Sequence, residues 1–241
     1  LRILLFSDIH GNLEALQATL ADASSRGFDR SICLGDIVGY GADPEACVSL
    51  VSGLPHGAAV MGNHDAAVID PRGRGALNPV AQAGVKYSEG SLSPESIAYL
   101  EALPFVIDSS KVFVASHASP HRPGDWLYVL DTPEAREVLR ETTHPVVFIG
   151  HTHFPLLHDG LGKSAPFPAG KACSVQPGER YIVNVGSVGQ PRDGDPRAAY
   201  VIFDDVDRTF CLFRVEYDVD AAAKKILGAG LPEMLADRIR R

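Results

Sequence analysis

Five apolar, strand-like runs in this sequence end in residues able to bind a metal or move a proton. Leu1–Phe6 leads into Ser7-Asp8-Ile9-His10, Phe28–Leu34 into Gly35-Asp36, and Gly57–Met61 into Gly62-Asn63-His64-Asp65. Val112–Ala115 leads into Ser116-His117, and Val146–Gly150 into His151-Thr152-His153. If the extended backbone persists, Asp8 and His10 point to the same side, and so do His151 and His153, because side chains alternate along a strand. Any one of these groups could be an ordinary loop residue bonded to its neighbours. Together, Asp8, His10, Asp36, Asn63, His117, His151 and His153 give two carboxylates, an amide and four imidazoles.

Carboxylates mixed with neutral imidazoles suit manganese, iron, zinc or nickel, whereas magnesium and calcium favour oxygen donors. Seven donors exceed one tetrahedral site but fit two ions sharing a carboxylate. The set contains no cysteine, which argues against a structural zinc site. Ions roughly 3.5–4 Å apart can hold a bridging hydroxide for in-line attack on phosphorus and neutralise charge in the transition state. The departing oxygen then needs a proton or positive charge from an imidazole that is not a ligand. His64, beside Asn63, is the candidate for that role.

The elements that must position these groups follow from pattern. Residues 1–6 are continuously apolar, as in a strand covered on both faces. Leu13, Leu16, Leu20 and Ala23 have helical spacing after a capping Asn12, and Phe28–Leu34 returns as a strand, completing a βαβ unit. Asp43 is placed to cap a helix from Pro44 to Leu50, with proline in its first turn. In an open α/β sheet, ligands collect at the carboxyl ends of the strands, where the metal-binding candidates fall. Residues 66–92, punctuated by Pro71, Gly73, Gly75 and Pro79, read as an irregular excursion or lid. Further helices are expected at Ser93–Leu100 and Pro133–Glu141, and a hairpin at Phe105–Ile107 and Val112–Ala115. Beyond a short strand to His158, a polar loop is expected to about Gly178 and a strand at Tyr181–Val185. Ala198–Phe203 and Thr209–Val215 form a second hairpin, and helices at about 219–227 and 232–240 finish the chain.

Tyr40 is a candidate pocket wall, and Arg192 and Arg197, in a glycine-containing loop, are candidates to hold phosphate oxygens. His121, Trp126 and Tyr128 either line the approach to a site or close hydrophobic surface. A length of 241 residues and 45% hydrophobic content support a single domain, 1–241, with a substantial core. Cys33, Cys47, Cys173 and Cys211 lack CxxC spacing and read as buried thiols in a reducing compartment. With no secretory leader and no membrane-length apolar run, the expected location is cytoplasmic. A net charge of −8 without a basic block argues against an extended nucleic-acid groove and leaves small anions as partners. Neither a dinucleotide-binding fingerprint nor a P-loop is present.

The ordered series Asp8-x-His10, Gly35-Asp36, Gly62-Asn63-His64-Asp65, His117 and Gly150-His151-Thr152-His153 resembles the calcineurin-like metallophosphoesterase superfamily. The loop from Asn184 to Arg197 and the hairpin after it extend the likeness to small prokaryotic phosphodiesterase-like members. The resemblance implies an α/β fold, a four-layer α/β/β/α sandwich with two mixed sheets and outer helices. It implies that Asp8, His10 and His153 bind one ion, that Asn63, His117 and His151 bind the other, and that Asp36 bridges them. His64 would assist the leaving oxygen, with Asp65 a candidate to orient it. The implied cofactors are two divalent or mixed-valence ions, manganese or iron first, with zinc or nickel as alternatives. One departure narrows the activity. Protein phosphatases and symmetrical diadenosine tetraphosphatases of the superfamily usually continue Gly-Asp into Asp-Arg-Gly, whereas Gly35-Asp36 continues as Ile37-Val38-Gly39-Tyr40-Gly41. The expected activity is hydrolysis of small organic phosphodiesters, nucleotides included. The alternatives are a phosphomonoesterase or nucleotide phosphatase, and an inactive metal-binding scaffold.

Overall fold

The computed structural model describes residues 1–241. β1 (Arg2–Phe6) is the strand around which the first half is arranged. Ile3 and Leu5 point into one apolar cluster, and Leu4 and Phe6 into another, so the strand is buried on both faces. α1 (Leu13–Arg26) follows, with the Asn12 side chain accepting from the Ala15 N–H, and leads to β2 (Arg30–Cys33). α2 (Pro44–Ser52) and β3 (Gly57–Ala59) come next. Asp43 makes no capping bond to α2. Its carboxylate instead receives the Lys225 ammonium at 2.9 Å.

Residues 66–92 are mostly helical, which corrects the expectation that they are irregular. α3 (Asn63–Ile69) runs into a 3₁₀ turn at Pro71–Ala76, and α4 (Pro79–Ser91) begins where Asn78 accepts from the Val80 and Ala81 N–H groups. The glycines and Pro71 fall in the short turn, while Pro79 sits in the first turn of α4, where its missing donor does no harm. α5 (Pro94–Glu101) precedes the hairpin of β4 (Val106–Asp108) and β5 (Phe113–Ser116). α6 (Thr132–Glu141), β6 (Val146–Ile149) and β7 (Pro155–His158) follow. The expected loop to Gly178 holds two short strands, β8 (Ser164–Pro166) and β9 (Ala172–Ser174), which pair at sheet edges. β10 (Tyr181–Val185), the hairpin of β11 (Ala198–Asp204) and β12 (Thr209–Val215), and helices α7 (Val219–Gly228) and α8 (Glu233–Arg238) complete the chain.

The strands form two six-stranded mixed sheets, ordered β3-β2-β1-β11-β12-β9 and β4-β5-β6-β10-β7-β8. In the first, β1, β2 and β3 are parallel and β11 returns antiparallel to β1; in the second, β5, β6 and β10 are parallel. Between the sheets lies a core that includes Ile3, Leu5, Phe113, Phe148, Val183 and Phe203. Leu16 of α1 and Val48 of α2 pack on the outer face of the first sheet, and Ala135, Val138 and Leu139 of α6 on that of the second. The result is the four-layer α/β/β/α arrangement. Cys33 and Cys47 are buried free thiols, but Cys173 and Cys211 are only half-buried because they lie on the edge strand β9 and its neighbour β12. No helix is long and apolar enough to cross a membrane.

The sheets meet through aromatic contacts, with Phe203 of β11 5.2 Å from Phe148 of β6 and 6.0 Å from Phe113 of β5 between ring centroids. Since this contact lies in the core between the two sheets, Phe203→Ala should destabilise the protein by roughly 3–5 kcal/mol in chemical denaturation. A loss below about 1 kcal/mol would show that the inter-sheet core is not the seam described here.

Candidate metal centre

All five sets of strand-end residues converge between the two sheets. Asp8, His10, Asp36, His117, His151 and His153 are buried, and Asn63 is half-buried at the edge of the cluster. The expected extended geometry does not hold. Asp8, His10, Asp36, His151 and His153 all adopt left-handed backbones, with φ between 52° and 67°. Such conformations cost on the order of 1–3 kcal/mol each for non-glycine residues and persist only where surroundings impose them. Here the Asp8 and His10 N–H groups donate to the Gly35 and Asp36 carbonyls at 3.0 and 2.9 Å, and the Gly189 N–H donates to the Asp8 carbonyl at 2.9 Å. The loops therefore hold one another, and His10, His151 and His153 turn inward through backbone curvature rather than strand alternation.

Asn63, His64 and Asp65 form the first turn of α3, not a loop at a strand end. β3 is shorter than its apolar run because the Met61 N–H is diverted to the Pro104 carbonyl at 2.8 Å. Gly62 permits a close approach: a Cβ there would collide with the Asp36 backbone nitrogen and Oδ1.

Each carboxylate is fixed by one oxygen. Asp36 Oδ1 accepts from the His64 N–H at 2.8 Å and Asp8 Oδ2 from the His151 N–H at 3.0 Å. Asp36 Oδ2 is then free to lie 3.5 Å from His10 Nε2 and 3.4 Å from His117 Nε2, between the two halves of the cluster. Asp8 Oδ1 is buried without a hydrogen-bond partner, 3.2 Å from His153 Nε2.

The imidazoles are fixed in the same manner. His10 Nδ1 donates to the Val38 carbonyl at 3.1 Å, His117 Nδ1 to Leu34 at 2.8 Å, His153 Nδ1 to Gln190 at 2.6 Å, and His151 Nε2 to Trp126 at 2.9 Å. A carbonyl only accepts, so each of these nitrogens carries the proton and the other presents its lone pair to the cluster. Yet His10 Nε2 and His153 Nε2 lie 3.2 Å apart, and His117 Nε2 lies 3.1 Å from both His151 Nδ1 and Asn63 Oδ1. Opposed lone pairs repel unless a cation lies among them. Donors about 2.1 Å from a shared ion stand roughly 3 Å apart, which matches this spacing.

Ligand atoms of Asp8, His10 and His153 lie within 4.8 Å of one another, as do those of Asp36, His117 and His151. These adjacent His/Asp triads suit a dinuclear centre. Burial keeps His10 and His153 well below the usual imidazole range and brings His151 down to about 3, leaving all three neutral. Burial also opposes charge on His117, but Asp36 and then Asp8 outweigh it and raise this imidazole to about 9. Without metal, a proton on His117 supplies part of the missing positive charge.

His64 lies beside these triads, and its ligand atom is also within 4.8 Å of those of His10 and Asp36. Its ring meets His10 edge-on at 4.7 Å and Tyr40 at 4.5 Å, and its Nδ1 is buried without a hydrogen-bond partner. Asp65 does not orient it. The Asp65 carboxylate instead receives the N–H groups of Ile37 at 2.9 Å, Val38 at 3.2 Å and Gly62 at 3.0 Å, tying the loops after β2 and β3 together.

Tyr40 is brought to the centre, 4.6 Å from His10 between ring centroids. Arg192 follows it, with its guanidinium 6.0 Å from the Tyr40 ring and its Nε buried and unpaired. Arg197 does not. It is engaged by Asp195 at 2.7 and 2.9 Å and half-exposed, because the intervening turn directs it to a local carboxylate. Trp126 and Tyr128 adjoin His151, whereas His121 bonds Ser119 and Glu137 instead. The orienting carbonyls of Leu34, Val38, Trp126 and Gln190 carry no signal in sequence, because every residue has one. Asn184, within β10, is not among the site residues expected from the sequence. Its amide donates to the Gly150 carbonyl at 2.7 Å and the Thr152 hydroxyl at 2.9 Å, bracing the His151–His153 turn.

Comparison with known proteins agrees with this geometry. Residues 1–208 match the calcineurin-like phosphoesterase superfamily domain. An uncharacterised protein of Methanocaldococcus jannaschii is 37% identical over 240 residues, spanning 98% of this chain and 96% of that protein. The crystal structure of a metallophosphoesterase from Sphaerobacter thermophilus is 38% identical, with a TM-score of 0.89 over 100% of this chain and 98% of that one. A hypothetical protein from Pyrococcus horikoshii shares the fold, with a TM-score of 0.78 at 20% identity over 99% of this chain and 97% of that one. The chain belongs to the calcineurin-like metallophosphoesterase superfamily and is related to its small prokaryotic phosphoesterase-like proteins.

Proposed function

We propose that this protein is a metal-dependent phosphodiesterase acting on small organic phosphodiesters, nucleotides included. The observation that carries the reading is the opposed pairing of imidazole lone pairs, each fixed by a backbone carbonyl behind the ring. Asp8, His10 and His153 would hold one ion and Asn63, His117 and His151 the other, with Asp36, which lies between His10 and His117, available to both. Manganese or iron suits this mixed nitrogen and oxygen set best, with zinc and nickel as alternatives. Two ions so held supply an activated water and neutralise charge on a phosphoryl group.

The chain's own residues supply the rest. Arg192 offers its unpaired Nε to a phosphoryl oxygen, while its other nitrogen is steadied by Gln190 at 3.1 Å. Arg197 is set aside as a substrate contact, since Asp195 occupies it. Tyr40, packed against both His10 and His64, holds the two rings at their edge-on angle. His64 donates an N–H to the departing alcohol oxygen. Its lack of an orienting carbonyl, which all four proposed ligand histidines have, supports a role outside the ligand set.

A diester places a single negative charge beside Arg192, whereas a monoester dianion calls for more cationic contacts. Diester hydrolysis is therefore expected to exceed monoester hydrolysis about tenfold or more in kcat/KM, with bis(p-nitrophenyl) phosphate and p-nitrophenyl phosphate compared in the same metal. The reverse preference would make the protein a phosphomonoesterase, and no turnover over a broad phosphoester panel would make it a metal-binding scaffold.

His64→Ala is expected to keep both ions and lose about 10²-fold in kcat, while Asp36→Ala loses metal from both positions. Elemental analysis beside kinetics checks this. Substantial metal loss from His64→Ala would place that imidazole among the ligands.

A further inference from the structure

Asn63 and His151 form one side of a groove of ≈ 370 Å³ that runs away from the metal centre along α3. Trp126 and Tyr128 line it beside His151, with Ala66 and Leu77 along its length. Trp126 has a left-handed backbone at φ 53°, a strained conformation for so bulky a residue. The strained residue is also the one whose carbonyl fixes His151, and its indole rests on Phe105 at 5.8 Å with His117 at 6.0 Å. Tyr128 lies almost parallel to the His151 ring, 4.2 Å away at 22°, and remains 49% exposed. The two aromatic residues thus lean on proposed ligands while also lining the groove.

We infer, resting on the phosphoesterase reading, that this groove binds the organic group of the ester and that this group is a flat, uncharged aromatic ring such as a nucleobase. Three features select that class. Two aromatic side chains on one wall favour a planar partner over a flexible alkyl chain. The volume lies at the lower end of small-molecule pockets, enough for one ring system and its sugar. The charged groups lining the groove are Asp70 and Asp125, paired with the surface residues Arg72 and Arg122. Those carboxylates repel a second phosphate but accept hydrogen bonds from ring N–H or amino groups. The phosphate end of the substrate is thereby directed to the metal centre and the ring outward along α3.

Trp126 is the chain's single tryptophan, so its fluorescence reports on the groove directly. The zinc-loaded protein is titrated with thymidine 5′-monophosphate, and methyl phosphate is measured by competition. The nucleotide should change the emission saturably and bind about tenfold or more tightly than methyl phosphate, the scale of one base–aromatic stack. Tyr128→Ala should reduce that ratio to near unity, and Tyr128→Phe should preserve it; taking a ratio removes any shared effect on metal affinity. An unchanged emission, equal affinities in the wild type, or a ratio insensitive to Tyr128→Ala would each overturn the inference. Hydrolysis of bis(p-nitrophenyl) phosphate without ring discrimination would leave the phosphodiesterase reading standing and remove this one. Ring discrimination without hydrolysis would do the opposite.

Discussion

The constraint on which this structure depends is the burial of acceptor atoms that face each other without enough protons to share. Asp8 Oδ1 has no partner, Asp36 Oδ2 stands between two imidazoles, and two pairs of histidines oppose their lone pairs at 3.1 and 3.2 Å. Such a cluster is unfavourable as a neutral, dry interior, because buried polar atoms are costly when unsatisfied. A proton on His117 relieves one side, whereas two cations bound as proposed would relieve both. Metal affinity and stability of the strand-end loops are accordingly linked, as in other proteins whose ligands are gathered by folding.

Much of the surrounding architecture can be understood as keeping those donors in place. Left-handed conformations at five proposed ligand positions are tolerated because hydrogen bonds between loops fix them. Glycine at position 62 admits the Asp36 carboxylate, and Asp65 joins the loops after β2 and β3 through three backbone N–H groups. Behind the loops, aromatic contacts between Phe203, Phe148 and Phe113 join the two sheets whose strand ends carry the site.

The convergence of the candidate ligands after the strands is legible in sequence because apolar runs and polar breaks report directly on burial. The βαβ opening, both hairpins and the terminal helices were legible for the same reason. Backbone handedness was not. Asp8 and His10, like His151 and His153, have a spacing that extended and left-handed chains serve equally well, and only cross-loop bonds choose between them. Residues 66–92 read as irregular because proline and glycine are ambiguous locally, since the same proline can break a helix or begin one. Arg197 and Asp65 lie against nearby partners that the sequence does not announce, Asp195 for one and the loop N–H groups for the other. Membership of the superfamily supports the reaction chemistry, while the substrate choice proposed above rests on features outside the candidate ligand series, Arg192 and the groove beside Trp126 among them.

The most direct test of the dinuclear account is a crystal structure of the manganese-loaded protein with anomalous scattering recorded at the metal edge. The account predicts two peaks, one among Asp8, His10 and His153 and one among Asn63, His117 and His151, both touching Asp36, with His64 unbound. A single peak, or a peak coordinated by His64, would contradict it.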